Sequence, residues 1–222
     1  ADAPECPTLL VVVTADKGLC GSFNTNIIKQ AGEVITESGG HDVSLGLVGR
    51  KGRDFFGKRG FDVRFELVNI FNQLKYSHAQ AIARAAIEAF TGSEVDSVQL
   101  VYNEFKSAMT QNVVVEPLLP IVPEEIEGEG ELADQQVDFI YEPNKRALLD
   151  RILPMYLETE VFRSLLESVA SEHGARMTAM DSATKNASDM IDRLTLVYNR
   201  ARQAAITTEL MEIIGGAEAL KG

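Results

Sequence analysis

Cysteine, histidine, basic charge and long apolar runs are all scarce in this sequence of 222 residues. Two cysteines, Cys6 and Cys20, and three histidines, His41, His78 and His173, supply neither a disulfide framework nor a zinc-ligand spacing, which points to a reducing compartment and to no metal site. Lys and Arg number 21 against 33 Asp and Glu, giving a net charge of −12 and a pI near 4.7. Coating nucleic acid needs clustered cations that displace phosphate counterions, so that is excluded as the main task. The longest apolar strings, such as Leu9 to Val13, are strand-sized and well below the roughly 18 residues that cross a bilayer, so no direct membrane insertion is expected. Ala1 opens the sequence without an initiator Met and without a signal or transit segment, and a trimmed start is expected.

The remainder is ordinary for a folded protein, with 45% apolar residues and a mean hydropathy of −0.04. At roughly 100 to 200 residues per domain, the length allows one large domain, or one domain with an appendage. The two halves differ in texture. From Thr8 to about Asn103, β-rich runs at Leu9 to Thr14, Val43 to Val48, Phe61 to Leu67 and Ser97 to Tyr102 alternate with helical stretches at Asn24 to Thr36, Arg50 to Lys58 and Ser77 to Phe90. That alternation predicts an α/β layer with a mostly parallel sheet. Val113 to Val122 contains Pro117 and Pro120 and reads as an edge strand. The acidic, Gly- and Pro-containing segment 123–134 reads as a solvated loop, Val137 to Tyr141 as a short strand, and Asn144 as a helix N-cap.

Beyond Asn144 the chain runs to Leu220 with one proline, Pro154, and one glycine, Gly174, before Gly215-Gly216. The boundaries expected are therefore an α/β domain over 1–143 and a very long helix over 144–222. Pro154 is expected to mark the N1 position of a fresh helix or a kink near its base. From there to Ile214 is roughly sixty positions, or roughly 90 Å at 1.5 Å per residue, so the helix should project from a domain of this size. Met180, Ala183, Ala187, Met190, Leu194, Val197, Ala201 and Ala204 recur at spacings of three and four, the a/d seam of a left-handed coiled coil. Phe162, Leu166 and Val169 continue it backwards and Met211 forwards, with His173, Arg176 and Thr208 as interruptions. The other faces carry charges, among them Lys185, Asp189, Arg193, Arg200, Arg202, Glu209 and Glu212, suited to water or to a charged partner. No second helix of matching length exists in the sequence, so this seam implies intermolecular assembly.

The turn that follows the first strand, Asp16-Lys17-Gly18-Leu19-Cys20-Gly21, leads into a helix. A Gly-rich strand-to-helix turn with a lysine could cradle phosphate on helix N-terminal amides, but the spacing is neither G-x-G-x-x-G nor G-x-x-x-x-G-K-[ST]. A structural turn at Gly18, Cys20 and Gly21 is the reading preferred. Cys20 as a nucleophile would need a base, and none of the three histidines stands at an informative spacing.

These residues carry a resemblance. Asp16 to Gly21 with Asn24-Thr25-Asn26, Phe139-Ile140-Tyr141-Glu142-Pro143, and the tail motifs Ser171-Glu172-His173-Gly174-Ala175-Arg176-Met177-Thr178-Ala179-Met180-Asp181, Tyr198-Asn199-Arg200-Ala201-Arg202-Gln203-Ala204-Ala205-Ile206-Thr207 and Glu209 to Ile214 resemble the gamma subunit of F-type ATP synthase. The match covers essentially the whole chain. It implies a Rossmann-like, mostly parallel sheet domain as a foot, and a C-terminal helix that forms half of an antiparallel coiled coil with an amino-terminal helix. The present chain starts just before the first strand, so that helix is expected to be missing.

The resemblance further implies a non-catalytic rotor subunit, without cofactor, that couples proton translocation through the c ring to ATP synthesis or hydrolysis at the beta subunits. Implied partners are the hexamer of alpha and beta subunits, the epsilon (or delta) subunit and the c ring. The implied location is peripheral, on the cytoplasmic face of a bacterial inner membrane or the matrix face of a mitochondrial one. By position in the motifs, Arg202, Gln203 and Thr207 are expected to touch a beta subunit, with Arg176 and Lys185 as electrostatic contacts, and Phe139, Tyr141 and Glu142 to rest on the c ring. No cysteine-pair insertion is present, so thiol regulation of the plastid kind is not expected. A non-rotary adaptor displaying its α/β domain on a coiled-coil tether, and a nucleotide-dependent enzyme using the Gly18 to Gly21 turn, are the rival readings.

Overall fold

Runs of Leu and Val that carry no charge on either face form strands only where both faces are covered, and two such runs make the centre of the sheet. The computed structural model of the chain describes residues 7–38, 43–121 and 144–220. The elements are β1 (Thr8–Val13), α1 (Phe23–Glu37), β2 (Val43–Val48), α2 (Arg50–Phe56), β3 (Val63–Leu67), α3 (Tyr76–Thr91), β4 (Ser97–Phe105), β5 (Gln111–Leu119) and α4 (Lys145–Ala219). They form an α/β domain with a mostly parallel five-stranded sheet, followed by a long C-terminal helix. The expected segments 123–134 and Val137 to Tyr141, and the residues Cys6 and His41, lie outside the described residues.

The strand order is β3-β2-β1-β4-β5. β1 pairs in parallel with β2, Thr8 against Val43 through Val13 against Val48, and in parallel with β4, Thr8 against Ser97 through Val12 against Val101. β5 is the antiparallel edge, as expected of the proline-containing run, and Pro117 sits opposite Gln99 where the ladder shifts register. Alternation along β1 sends Leu9, Val11 and Val13 to one apolar cluster and Leu10 and Val12 to another. The first cluster is closed by Ile82, Ala83 and Ala86 of α3 and by Leu157, Val161 and Leu165 of α4, the second by Phe23, Ile27 and Ala31 of α1 and Phe56 of α2.

α4 begins where its cap was expected, with the Asn144 side-chain carbonyl accepting the Ala147 N–H at 2.8 Å. Of the two expectations for Pro154, a fresh helix or a kink near the base, the first does not hold, since Pro154 lies inside a continuous helix. The carbonyl its ring leaves without a donor belongs to Asp150, an exposed residue, so water can satisfy it. Further back, the face of α4 that meets the sheet lies beside the expected seam. α4 buries Leu157, Val161, Ser164, Leu165, Ser168, Ser171 and Glu172, whereas Phe162 and Val169 are half-buried and Leu166 is 47% exposed. The buried stripe stands one position before the seam and mixes Leu157, Val161 and Leu165 with small hydroxyl residues. Ser164 and Ser171 satisfy their hydroxyls on the carbonyls of Glu160, at 2.9 Å, and Asn103, at 3.1 Å.

Two compact units divide the chain, Ala1–Thr178 and Ala179–Gly222. Within the second, helix continues to Ala219, and from Met180 to Leu220 every residue is exposed except the half-buried Asn199.

Candidate functional site

Parallel strands end their carboxyl edges in loops, and β1 and β4 flank the point where the strand order reverses. At that point the two motifs singled out in the sequence meet, although more than 150 positions separate them. The turn after β1 is built on Asp16, 6% exposed, whose carboxylate accepts the backbone N–H groups of Asn69 at 2.8 Å, Arg50 at 3.1 Å and Phe71 at 3.4 Å. One side chain thereby ties the loops after β1, β2 and β3 together. Thr14 adds a second tie, donating to the Val48 carbonyl at 3.0 Å while accepting the Gly52 N–H at 2.8 Å. Gly49, with φ of +90°, is required there because a Cβ would stand 1.9 Å from the Thr14 carbonyl oxygen.

In the turn itself Leu19 and Gly21 take φ of +64° and +56°, and Leu19 points out, 74% exposed. Cys20 points in and is buried. Asn24 holds the turn shut, accepting the Ala15 N–H at 2.9 Å and donating to the Cys20 sulfur at 3.1 Å. A side chain at Gly18 would meet only Lys51 Cε, at 3.9 Å, so what the position contributes is its carbonyl.

That carbonyl accepts from Arg176 at 3.3 Å, and the same guanidinium nitrogen holds the Glu172 carboxylate, 5% exposed, at 2.5 Å. Between Glu172 and Arg176 on α4, Gly174 packs so closely that a Cβ would lie 3.2 Å from Ala108 Cα and 3.3 Å from the Phe105 ring. Thr178 donates to the Ala108 carbonyl at 3.1 Å. Burial raises the Cys20 thiol above its ordinary range, and Glu172 pushes in the same direction against Arg176. A poorly ionised, enclosed thiol has neither the thiolate character nor the access of a nucleophile.

Three backbone amides that could face a phosphate at this edge are used by Asp16 itself. An open polar depression of about 520 Å³ between α1 and β5 is lined by Asn26, Lys29, Gln30, Glu33, Glu104 and Gln111, with no histidine or cysteine. Among the described residues no three His, Cys, Asp or Glu side chains converge to hold a metal ion, and no helix is long and apolar enough to cross a membrane. His78 caps α3, accepting the Lys75 N–H at 3.2 Å, and His173 is exposed.

In the second unit the expected seam is open. Met190 is 64% exposed, and Ala183, Ala187, Leu194, Val197, Ala201, Ala204 and Met211 are exposed with it. Ile191, Leu196, Tyr198, Ile206 and Ile213 are exposed as well, so apolar surface lies on more than one side of this helix. Arg202, Gln203 and Thr207 are all exposed. Lys185 pairs with Asp181 at 2.9 Å, both largely solvated. Arg176, by contrast, is engaged with Glu172 and Gly18 in the first unit. The residues expected at the c ring, Phe139, Tyr141 and Glu142, lie outside the described residues. In the sequence Asp16 and Glu172 stand out only as members of their motifs. A carboxylate directly after a buried strand, and a Glu four before an Arg, were the available signals.

Comparison with known proteins agrees with this geometry. A family model described as ATP synthase matches residues 2–220. An ATP synthase gamma chain from a Geobacter species is 54% identical over 216 residues, covering 96% of this chain and 74% of its own. One from Sorangium cellulosum is 51% identical over 228 residues, covering 98% of this chain and 70% of its own. Among solved structures, a chain of the Tetrahymena thermophila mitochondrial ATP synthase central stalk and c ring is similar at 30% identity with a TM-score of 0.65, over 83% of this chain and 79% of that one. A chain from the Euglena gracilis mitochondrial assembly of OSCP, F1 and c ring has the same fold at a TM-score of 0.72 and 22% identity, over 97% of this chain and 73% of that one.

Proposed function

The chain belongs to the family of ATP synthase gamma chains, and on that premise we propose that it works as the rotor of the complex without an active site of its own. It is a central-stalk subunit of a membrane-associated enzyme, coupling proton passage to ATP synthesis or hydrolysis, with the alpha and beta subunits and the c ring as partners. The epsilon (or delta) subunit completes the foot. The subunit is peripheral, at the cytoplasmic face of a bacterial inner membrane or the matrix face of a mitochondrial one.

The observation that carries this reading is the exposed apolar surface of α4 from Met180 to Ile214, on more than one side of a single helix. Such a surface is costly in water and suits enclosure by other chains. A stiff helix with unlike faces presents a different surface to each beta subunit at each rotation angle, so each orientation favours a different nucleotide state. Arg202, Gln203 and Thr207 supply the polar contacts to a beta-subunit loop, Lys185 and Arg176 add electrostatic ones, and Phe139, Tyr141 and Glu142 seat the foot on the c ring. No observation favours a non-rotary adaptor.

The test is the double variant Arg202→Ala with Gln203→Ala in the assembled complex. ATP synthesis should fall while helix content and assembly are unchanged. Unaltered synthesis in a fully assembled complex would remove the assigned contact.

A further inference from the structure

A rotor must not slip in its own foot, and most of the contact between α4 and the sheet is poorly suited to prevent it. Ser164, Ser168, Ser171 and Gly174 let the helix lie close, but small side chains offer no ridge that resists turning about the helix axis. Apolar burial by Leu157, Val161 and Leu165 is non-directional. Directed contacts hold the helix instead: Glu158 to Tyr76 and Gln80 of α3, Ser171 to Asn103, Arg176 to Gly18, Thr178 to Ala108 and, at the edge strand, Arg163. Its guanidinium holds Glu116 of β5 at 2.9 Å and Glu160 of its own helix at 2.9 Å, with Glu167 at 4.0 Å. Tyr102 of β4 borders the cluster, its hydroxyl pushed up by burial, by hydrogen bonding to Glu116 and by the charge of Glu167. One cation thus serves three carboxylates, and Glu116 Oε2 and Glu167 Oε2 are buried without a donor. Without the cation, β5 and α4 would press like charges together at the sheet edge.

Resting on the rotor reading above, we propose that Arg163 is a positioning residue that locks the base of α4 to edge strand β5, so that rotation of the foot passes into the helix without slip. The mechanism is geometric. Rotation of α4 about its axis would carry Arg163 away from Glu116, which belongs to a different element, and would leave buried carboxylate oxygens on both sides unpaired.

The test uses the complete ATP synthase in sealed vesicles, reading protons pumped per ATP hydrolysed in assembled complexes. Arg163→Met should keep ATP hydrolysis and lose proton pumping per ATP severalfold, and Arg163→Lys should recover most of it. The triple variant Arg163→Met, Glu116→Gln, Glu167→Gln removes the repulsion without restoring the ionic contact. It should assemble normally and still pump poorly, which separates a lock from a stabilising pair. Pumping per ATP equal to the unmodified complex, in either Arg163→Met or the triple variant, would overturn the proposal. Failure of the unmodified subunit to support pumping would instead defeat the rotor reading itself.

Discussion

Arg176 reaches across the fold to the carbonyl of Gly18, 3.3 Å away, while its guanidinium also neutralises the nearly buried Glu172. The contact fastens the turn after β1 to the long helix, and each end lies in one of the two motifs that first marked this sequence.

Arg176→Met should therefore loosen the helix from the turn. Glu172 would be left at 5% exposure without its cation, a loss of about 2–4 kcal/mol for a partly buried pair broken on one side. Urea unfolding should shift to a lower midpoint, and amides of 171–178 should exchange faster. Glu172→Gln with Arg176→Met should recover part of the loss.

The Cys20 thiol is held above its ordinary value, chiefly by burial and next by Glu172. Between the ordinary thiol pKa, about 8.5, and the raised folded value, the unfolded chain ionises and the folded one does not, so stability falls as pH rises through that window. The contribution is fully present below pH 8. Cys20→Ala should flatten the decline seen in unfolding free energy from pH 8 upward, with the remaining slope at higher pH carried by Tyr102, which is raised in the same sense. An unchanged slope would argue against this assignment.

Asp16→Ala should cost several kcal/mol, at about 1–3 for each amide left without its acceptor. Its effect is to free three loops at once, so protection from hydrogen exchange should drop together at Arg50, Asn69 and Phe71. A drop confined to one of the three would mean that the carboxylate is not their common tie.

Glycines in this chain divide into required and merely tolerated. Gly49→Ala places a Cβ 1.9 Å from a backbone oxygen at positive φ and should prevent stable folding of the α/β domain. Gly215→Ala and Gly216→Ala meet nothing within 4 Å and sit inside a helix, so each should favour helix by about 0.8–1 kcal/mol. Circular dichroism should report a gain in helix for the second pair and a loss of thermal transition for the first.

Much of the α/β domain was legible because its strands are buried on both faces. Val43 to Val48 was bounded as observed, and β1 differs by one residue at each end. β4 was read as ending at Tyr102 but runs to Phe105, since its polar last residues pair with β5 and hydrophobicity alone does not register that pairing. The face on which α4 meets the sheet was not legible in the sequence. Phe162, Leu166 and Val169 outrank Ser164, Ser168 and Ser171 on any apolar scale, yet the buried side carries the serines beside Leu157, Val161 and Leu165, and Ser164 and Ser171 donate their hydroxyls to carbonyls. The Asp16 and Arg163 clusters escaped because their partners, the amides of Arg50 and Asn69 and the carboxylate of Glu116, lie far away in sequence.

The meeting of residues 16–21 with 171–176 also sets an order of events during synthesis. At about 5–20 residues per second, the roughly sixty residues from Leu119 to Thr178 take about 3–12 s to be added, and for that interval the five-stranded sheet exists without the helix that covers part of it. Leu100 and Tyr102 are then open to other nascent chains. The stripe that arrives to close the gap presents serines, a glycine and a threonine as well as three apolar residues, so the late segment is itself a poor target for aggregation. A hydroxyl-rich seam delays nothing once the helix is made, and it adds little sticky surface of its own before the apolar length from Met180 to Ile214 follows.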